Sequence, residues 1–309
     1  MAATDQTDLF DLDSPLYSDV HGERTVAEFP FFALAKTPQM EPMVFQSEDV
    51  RIEVSPSPIG IATIYDKEVL LYIAGLMAEK LERGEPVEHE MSFTAHDFFR
   101  ATGANASVKS YTSLKRSLRR LQGTEILTNI ETGGEGEEGG FSWLLTWNTT
   151  YARGADGNKR LKAVRIRLCD WLYRAILKDR RIAAYHDDFF RLGPVERRLY
   201  ELAMFNCGGE TGYEAGLERL ALKVGCSASP RSLAKFKRQL RDIAESDTLP
   251  QYRVELRETR TPSANGRPRI DTSVLLLPRH DDEEDETPVP DDDTADEGAP
   301  DDLDDPAVA

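Results

Sequence analysis

The sequence has little cysteine and no long apolar run. Its three cysteines, Cys169, Cys207 and Cys226, are an odd number without Cys-x-x-Cys spacing, so neither a disulfide framework nor a zinc site is indicated. No stretch of about 18 uncharged apolar residues occurs, as a membrane-spanning helix would require. The first residues lack the basic and apolar regions of a secretion signal. We therefore expect a cytoplasmic protein that does not enter a membrane.

Sequence motifs of common enzymes are also missing. The segment from Gly154 to Lys159 lacks the spacing and the Ser or Thr of a phosphate-binding loop. The five histidines form no His-x-His pair, which argues against metal-dependent nickases. We expect no catalytic residue, no bound metal and no cofactor, so this protein should act by binding.

Acidic residues outnumber basic ones, but the excess is confined to the two ends. The net charge is −17, which argues against nucleic-acid binding. Residues 281–309 hold fifteen acidic residues and no basic one, and residues 1–28 hold seven and one. The intervening residues 29–280 hold 37 basic and 33 acidic residues. We expect a mildly basic body between a disordered arm (1–28) and a disordered acidic tail (281–309).

An internal repeat is the strongest feature of that body. Gly103–Leu121 and Gly225–Ile243 align without a gap and are identical at eight of nineteen positions. Both segments place apolar residues at the spacing of one helix face. These residues are Tyr111, Leu114, Leu118 and Leu121 in the first copy and Leu233, Phe236, Leu240 and Ile243 in the second. The sequence therefore predicts the same amphipathic helix twice.

Shorter helices are predicted before each of these two. Thr94–Gly103 and Leu217–Gly225 are apolar-periodic and end in glycine, which predicts a helix-turn-helix in each copy. Lys67–Arg83 and Pro194–Asn206 would supply a first helix further upstream.

Strand-like segments follow each copy. The predicted strands are Glu125–Ile130 and Phe141–Trp147 around Gly133–Gly140, and Tyr252–Leu256 and Ser273–Leu277 around Asn265-Gly266. We therefore predict an α+β fold of tandem winged-helix domains, each with three helices and a β-hairpin, spanning residues 29–180 and 181–280.

Two motifs resemble a known family. Leu168–Ile176 and Asp188–Ala203 are similar to segments of the plasmid replication initiator protein A family of α-proteobacteria. The resemblance covers approximately residues 29–280. It implies two winged helices that bind repeated double-stranded sites in a replication origin and recruit host replication machinery. Related initiators commonly repress their own gene as dimers, so a monomer-dimer equilibrium is expected.

The polar side of each repeated helix is the candidate DNA-binding surface, because its basic residues match phosphates. We expect base contacts from Asn105, Lys109, Ser110, Arg231, Ser232 and Lys235, and phosphate contacts from Arg116, Arg119, Arg238 and Arg241. The same surface includes Ser107, Ser113, Lys115, Arg120, Ser229 and Lys237. For one helix alone, a merely solvated basic face is the better interpretation, but its recurrence favours DNA.

The two predicted wings differ in charge. The second carries Arg257, Arg260, Arg267 and Arg269, whereas the first carries Glu135, Glu137 and Glu138. We expect the second domain to supply most of the affinity, and the first domain to contact a neighbouring groove and contribute to a dimer interface.

The N-terminal arm contains a short peptide of a second kind. Gln6, Asp8, Leu9 and Phe10 resemble the peptide by which bacterial replication proteins bind the sliding clamp. Five residues match easily by accident, so coincidence stays an equal alternative.

Two further functions remain open. A transcriptional repressor would use the same DNA-binding domains, and a protein-binding adaptor would use winged helices without DNA contact. A steep dependence of DNA affinity on salt would exclude the adaptor.

Overall fold

The computed structural model describes residues 12–279 except 36, 48, 137, 154–158, 209–211 and 262–268. The predicted acidic tail, the whole clamp-like peptide from Gln6 to Phe10 and the Asn265-Gly266 turn lie outside these residues. No helix in the described part combines the length and apolar character needed to cross a membrane.

The described residues form both helices and strands, interspersed along the chain. The helices are α1 (Arg24–Glu28), α2 (Lys67–Glu82), α3 (Ala95–Ala101), α4 (Val108–Gly123), α5 (Asp170–Arg174), α6 (Pro194–Asn206), α7 (Leu217–Val224) and α8 (Pro230–Ser246). The strands are β1 (His21–Glu23), β2 (Met43–Gln46), β3 (Arg51–Ser55), β4 (Glu90–Phe93), β5 (Glu125–Thr128), β6 (Gly140–Phe141), β7 (Leu144–Arg153), β8 (Lys159–Leu168), β9 (Ile182–Ala184), β10 (Tyr213–Gly216), β11 (Tyr252–Thr261) and β12 (Arg269–Pro278). A π-helical turn, Ala175–Asp179, continues α5, and a 3₁₀ turn, Asp187–Arg191, precedes α6.

The same succession of elements occurs twice. The first copy consists of α2, β4, α3, α4, β7 and β8, and the second consists of α6, β10, α7, α8, β11 and β12. Both three-stranded sheets place the second long strand in the middle, in the orders β4-β8-β7 and β10-β12-β11. In each copy the last helix packs on the first long strand, α4 on β7 and α8 on β11. The duplication predicted from nineteen aligned residues therefore extends through a whole structural unit.

The repeated helices bury the predicted apolar faces. Leu114, Leu118 and Leu121 of α4 are buried, as are Phe236, Leu240 and Ile243 of α8. Burial of each such side chain stabilises the fold by about 1.5–3 kcal/mol. Tyr111 and Leu233 are half-buried and pack against the same core. The predicted helical phase is thus confirmed, and the polar sides face outward.

Glycine makes the turn before each basic helix. Gly103 follows α3 with a φ of 66°, and Gly225 follows α7 with a φ of 98°. Residues with a side chain rarely adopt this left-handed backbone conformation, whereas glycine does so without steric cost. Serine then caps the next helix, because the Oγ atoms of Ser107 and Ser229 accept bonds from the amides of Ser110 and Ser232.

The first predicted hairpin forms in part, but it is not the equivalent of the hairpin in the second copy. Glu125–Thr128 pairs with Gly140–Phe141, but both belong to a separate four-stranded sheet of order β2-β3-β5-β6. The hairpin equivalent to β11-β12 is formed instead by β7 and β8. They pair antiparallel from Leu144 with Leu168 to Arg153 with Lys159. The sequence from Lys159 to Leu168 was not expected to form a strand, although it alternates Val164, Ile166 and Leu168 with arginines.

The prediction of a disordered N-terminal arm is wrong for residues 12–28. Leu16, Val20, Val26 and Ala27 are buried, and β1 pairs antiparallel with β9. The backbone of Asp13 donates a hydrogen bond to the Ser92 carbonyl at 2.7 Å. This segment therefore packs against the first copy and closes on a strand that follows it.

A buried ionic cluster joins the first helices of the two copies. Lys67 of α2 donates to Glu201 of α6, with Nζ 2.6 Å from Oε1, and both side chains are fully buried. Arg198 lies 2.5 Å from the other oxygen of Glu201, and the Tyr185 hydroxyl donates to Oε1 at 3.1 Å. A second pair, Arg197 with Glu68 at 2.7 Å, lies beside it. Together these side chains are the buried ionic cluster.

Backbone groups complete this cluster. Arg198 also donates to the Ala27 carbonyl at 2.6 Å and to the Lys223 carbonyl at 3.0 Å, so α1, α6 and α7 meet there. The described residues from 12 to 279 accordingly form one compact unit. The separation of residues 29–180 from 181–280 as independent domains stays a prediction.

Candidate DNA interface

The exposed side of α4 carries four basic residues on one surface. Lys109, Lys115, Arg116 and Arg119 are exposed, and within the described residues none of them has an acidic partner. Lys115, Arg116 and Arg119 line one groove together with Thr112. We call these four basic residues the α4 face. Since no acidic side chain in the described part of the chain pairs with them, these cations can contact phosphates.

The exposed side of α8 repeats this arrangement. Arg231, Lys235 and Arg238 are exposed and have no acidic partner in the part of the chain that the structure describes. These three residues are the α8 face. Lys109, Arg116 and Arg119 of α4 align with Arg231, Arg238 and Arg241 of α8. Among the described residues, two of these aligned pairs, Lys109 with Arg231 and Arg116 with Arg238, therefore lack acidic partners in both copies, whereas Arg241 is paired with Glu258.

Arg120 does not belong to this surface, although the sequence predicted it there. Its guanidinium is buried and binds Asp66 through two hydrogen bonds of 2.6 Å, from Nε and from one terminal nitrogen. Asp66 also accepts a bond from the Thr63 amide at 2.7 Å. Arg120 therefore ties α4 to the start of α2 and cannot contact a phosphate. The equivalent residue in α8 is Asp242, and this difference in charge already indicates from the sequence that the position is not a DNA contact in both copies.

Two residues of the predicted DNA-binding surface of α8, of which Arg241 is a predicted phosphate contact, are already paired within the protein. Lys237 and Arg241 lie 3.0 and 2.6 Å from Glu258 of β11, and Lys237 donates to the Thr272 hydroxyl at 2.7 Å. Hydrogen bonds from Lys237 and Arg241 lower the pKa of the Glu258 carboxyl. Their role here is to hold α8 to its hairpin, and Arg241 remains half-exposed at the edge of the α8 face.

The serines at the helix starts are occupied by local hydrogen bonds. Ser110 donates from Oγ to the Asn105 carbonyl at 2.6 Å and lies 2.9 Å from the Ser107 hydroxyl. Ser229 caps α8 through the Ser232 amide. Asn105 and Ser113 are exposed. The serines thus fix the start of each basic helix, where a major-groove contact would begin.

The β7-β8 hairpin, which takes the place of the first predicted wing, carries basic residues, so the prediction of an acidic first wing is wrong. Strands β7 and β8 carry Arg153, Lys159, Arg160 and Lys162 next to the tip, and Lys162 is exposed. Of the expected acidic residues, Glu135 and Glu138 lie between β5 and β6. Glu135 contacts Arg174 and Lys178 at 3.5 and 2.6 Å. Its pKa is lowered by the hydrogen bond from Lys178. The Asp156-Gly157 pair between alternating segments was the sequence evidence for this hairpin.

The second hairpin agrees with its predicted strands. Arg257 and Arg260 are exposed on β11, and Arg257 lies 3.9 Å from Glu255. Arg269 begins β12, while Arg267 and Glu137 lie outside the described residues. With both hairpins basic, the premise for unequal affinity of the two copies no longer holds.

Sequence comparison places this geometry in a family. The family model for replication initiator protein A matches residues 21–254. The chain belongs to the replication initiator protein A family. A family relative from Wigglesworthia glossinidia brevipalpis, named "Putative replication protein", is 30% identical over 250 residues, which are 80% of this chain and 88% of that protein.

Solved replication initiators share the fold of this replication initiator protein A family member. Domains 2 and 3 of RctB match 80% of this chain and 94% of that one, with a TM-score of 0.53 and 15% identity. The Pi initiator protein in complex with iteron DNA matches 72% and 92%, with a TM-score of 0.51 and 14% identity. The mixed helix and sheet architecture is therefore that of replication initiators.

Proposed function

We propose that the protein is a sequence-specific, double-stranded-DNA-binding plasmid replication initiator. Each copy of the duplication acts as a winged helix, with α4 or α8 in the major groove and the adjoining hairpin along the backbone. It binds origin repeats, recruits the host replication machinery and contributes to copy-number control. It works in the cytoplasm by binding alone, without a catalytic residue or a cofactor.

One observation carries this proposal. Lys109 and Arg116 of the α4 face and their equivalents in the α8 face, Arg231 and Arg238, are exposed and have no acidic partner among the described residues. A helix that only covered the core would not need exposed basic residues at the same positions in both copies. Basic residues that serve the fold are paired with acidic ones, as Lys237 and Arg241 are with Glu258. Support also comes from the Pi initiator, whose structure of similar fold contains iteron DNA.

Salt dependence of DNA binding tests the proposal. Several phosphate contacts should weaken affinity on the order of 10³-fold between about 50 and 200 mM salt. Arg116→Ala combined with Arg238→Ala should reduce the slope of log affinity against log salt by about 2, since each contact contributes about 1. Fluorescence anisotropy with an origin duplex measures both quantities.

The matched control is Arg191→Ala, which removes an exposed arginine from the 3₁₀ turn, where it pairs with Asp188. This variant should keep the wild-type slope. A salt-independent affinity, or an equal loss in the control, would contradict DNA binding by the helices. Replication of a plasmid that carries only this gene and its neighbouring DNA then distinguishes an initiator from a repressor.

Recruitment of host proteins is a second part of the proposal. The peptide Gln6-Thr7-Asp8-Leu9-Phe10 is proposed to bind the sliding clamp, and it lies just before the packed segment that begins at residue 12. A helicase or its loader and a second copy of the chain are the other proposed partners. A peptide of residues 1–20 should bind clamp and should lose binding when Leu9 and Phe10 are both replaced by alanine.

A further inference from the structure

Helix α4 begins with an uncovered apolar side chain. Val108 is 85% exposed, the highest value among the exposed large apolar residues of the described part. It contributes little to the core, and β-branched valine is a weaker helix former than alanine. The helix start does not depend on it, because Ser107 provides the cap. Val108 therefore has no role within the fold that explains its identity.

Thr112 lies one helical turn further along the same side. It is exposed, and its hydroxyl donates to the Val108 carbonyl at 2.8 Å. Because the hydroxyl is used within the helix, the methyl group is what Thr112 has left for an external contact. Arg116 follows after another turn. The order along this side of α4 is apolar, apolar, basic.

Helix α8 repeats this order with different residues. Pro230, Ala234 and Arg238 occupy the equivalent positions, and all three are exposed. A single exposed apolar residue needs no explanation. Here, however, apolar character recurs at two positions whose identities differ, while arginine recurs unchanged at the third. What the two copies share at the helix start is therefore the chemistry of the surface.

We propose that these apolar pairs, Val108 with Thr112 and Pro230 with Ala234, each contact the 5-methyl group of a thymine. The inference rests on the proposed function, in which the N-terminal part of each helix meets base edges. Among the four bases only thymine presents an apolar group in the major groove. The basic residues one turn later then reach the phosphates. The apolar pairs supply base specificity, and the arginines supply affinity.

Removal of the methyl group from the DNA tests this directly. The probe is a duplex selected from a random library by the wild-type protein, in which each thymine is replaced in turn by deoxyuridine. At a contacted thymine, the replacement should weaken binding by about fourfold, as expected for one buried methyl group. Val108→Ala should weaken binding to the thymine duplex similarly and should add nothing on the deoxyuridine duplex. The Val108→Ala variant should fold like the wild type, because alanine is a better helix former than valine.

The matched control is Val44→Ala, which shortens an exposed valine on β2, outside the basic helices. It should leave both affinities unchanged. The inference is overturned if every deoxyuridine is tolerated, or if Val108→Ala reduces the affinity loss at none of the sensitive thymines. In those cases the selected duplex still binds and the proposed function stands. Failure to select any salt-sensitive duplex would instead overturn the proposed function, and the inference with it.

Discussion

The described basic residues include both buried members of ion pairs and exposed cations without an acidic partner, and sequence alone distinguishes the two unevenly. Arg116 was assigned correctly as exposed, because an amphipathic pattern predicts which side of a helix faces water. Arg120 was not, because it lies at the edge of that side and its partner Asp66 is 54 residues away. Pairing over such a distance depends on tertiary packing, to which helical periodicity contributes no information.

Lys67 gives a prediction at the same scale. Burial lowers the pKa of its ammonium to about 8, from the 10.5 usual for lysine, while Glu201 acts in the opposite direction. Between these values the unfolded chain binds the proton and the folded chain has released it. The contribution of Lys67 to the free energy of unfolding should therefore rise with pH above 8, by at most about 1.4 kcal/mol per pH unit.

The difference in unfolding free energy between wild type and Lys67→Met measures this contribution. Denaturant titrations at several pH values from 7 to about 9.5 should show the difference increasing with pH. Burial raises the pKa values of Cys207 and Cys226, which has the opposite effect near pH 9, but both variants share it. A difference that stays constant or falls over this range would contradict the expected protonation of Lys67.

Among the elements, helices were easier to predict than strands. The predicted bounds Pro194–Asn206 coincide with α6, since a proline start and a continuous apolar period define the helix locally. The hairpin β7-β8 was missed because Glu125–Thr128 also forms a strand, and it pairs with β3 from 70 residues earlier. Strand partners depend on distant segments, so a turn-rich sequence between two candidate strands does not settle their pairing.

Relocation of the first hairpin yields a prediction at the level of elements. Lys162→Glu should weaken DNA binding and reduce the salt slope by about 1, because Lys162 lies exposed on the hairpin that flanks α4. Glu138→Ala serves as the comparison, since Glu138 is exposed in the loop that precedes β6. It should leave the affinity unchanged. An increase in affinity for Glu138→Ala with no effect of Lys162→Glu would restore the acidic segment as the wing.

At the scale of the whole molecule, the two copies depend on each other through the buried ionic cluster. A fragment of residues 181–279 keeps the pair of Arg198 with Glu201 but loses Glu68, so the buried Arg197 is left without its acidic partner. An uncompensated buried charge costs about 3–5 kcal/mol, a large part of the roughly 5–15 kcal/mol that stabilises a protein. We expect this fragment to lack a cooperative unfolding transition.

Replacement of the charge that has lost its partner should rescue the fragment. Arg197→Leu removes this charge and should restore a cooperative transition, because apolar side chains often replace buried ionic groups without loss of stability. Circular dichroism during denaturant titration measures the transition in both fragments. Cooperative unfolding of the unmodified fragment would show that residues 181–279 fold independently of the first copy.

The buried ionic cluster also has a consequence for the DNA. Because α2 and α6 are joined inside the protein and not by a flexible tether, α4 and α8 cannot rotate freely about one another. In the proposed function, in which both helices bind DNA, the target must therefore present two segments at a fixed rotational phase, which repeats about every 10 base pairs. An insertion of about half that length between the segments would turn one of them to the opposite side of the double helix, whereas a full turn would keep them aligned.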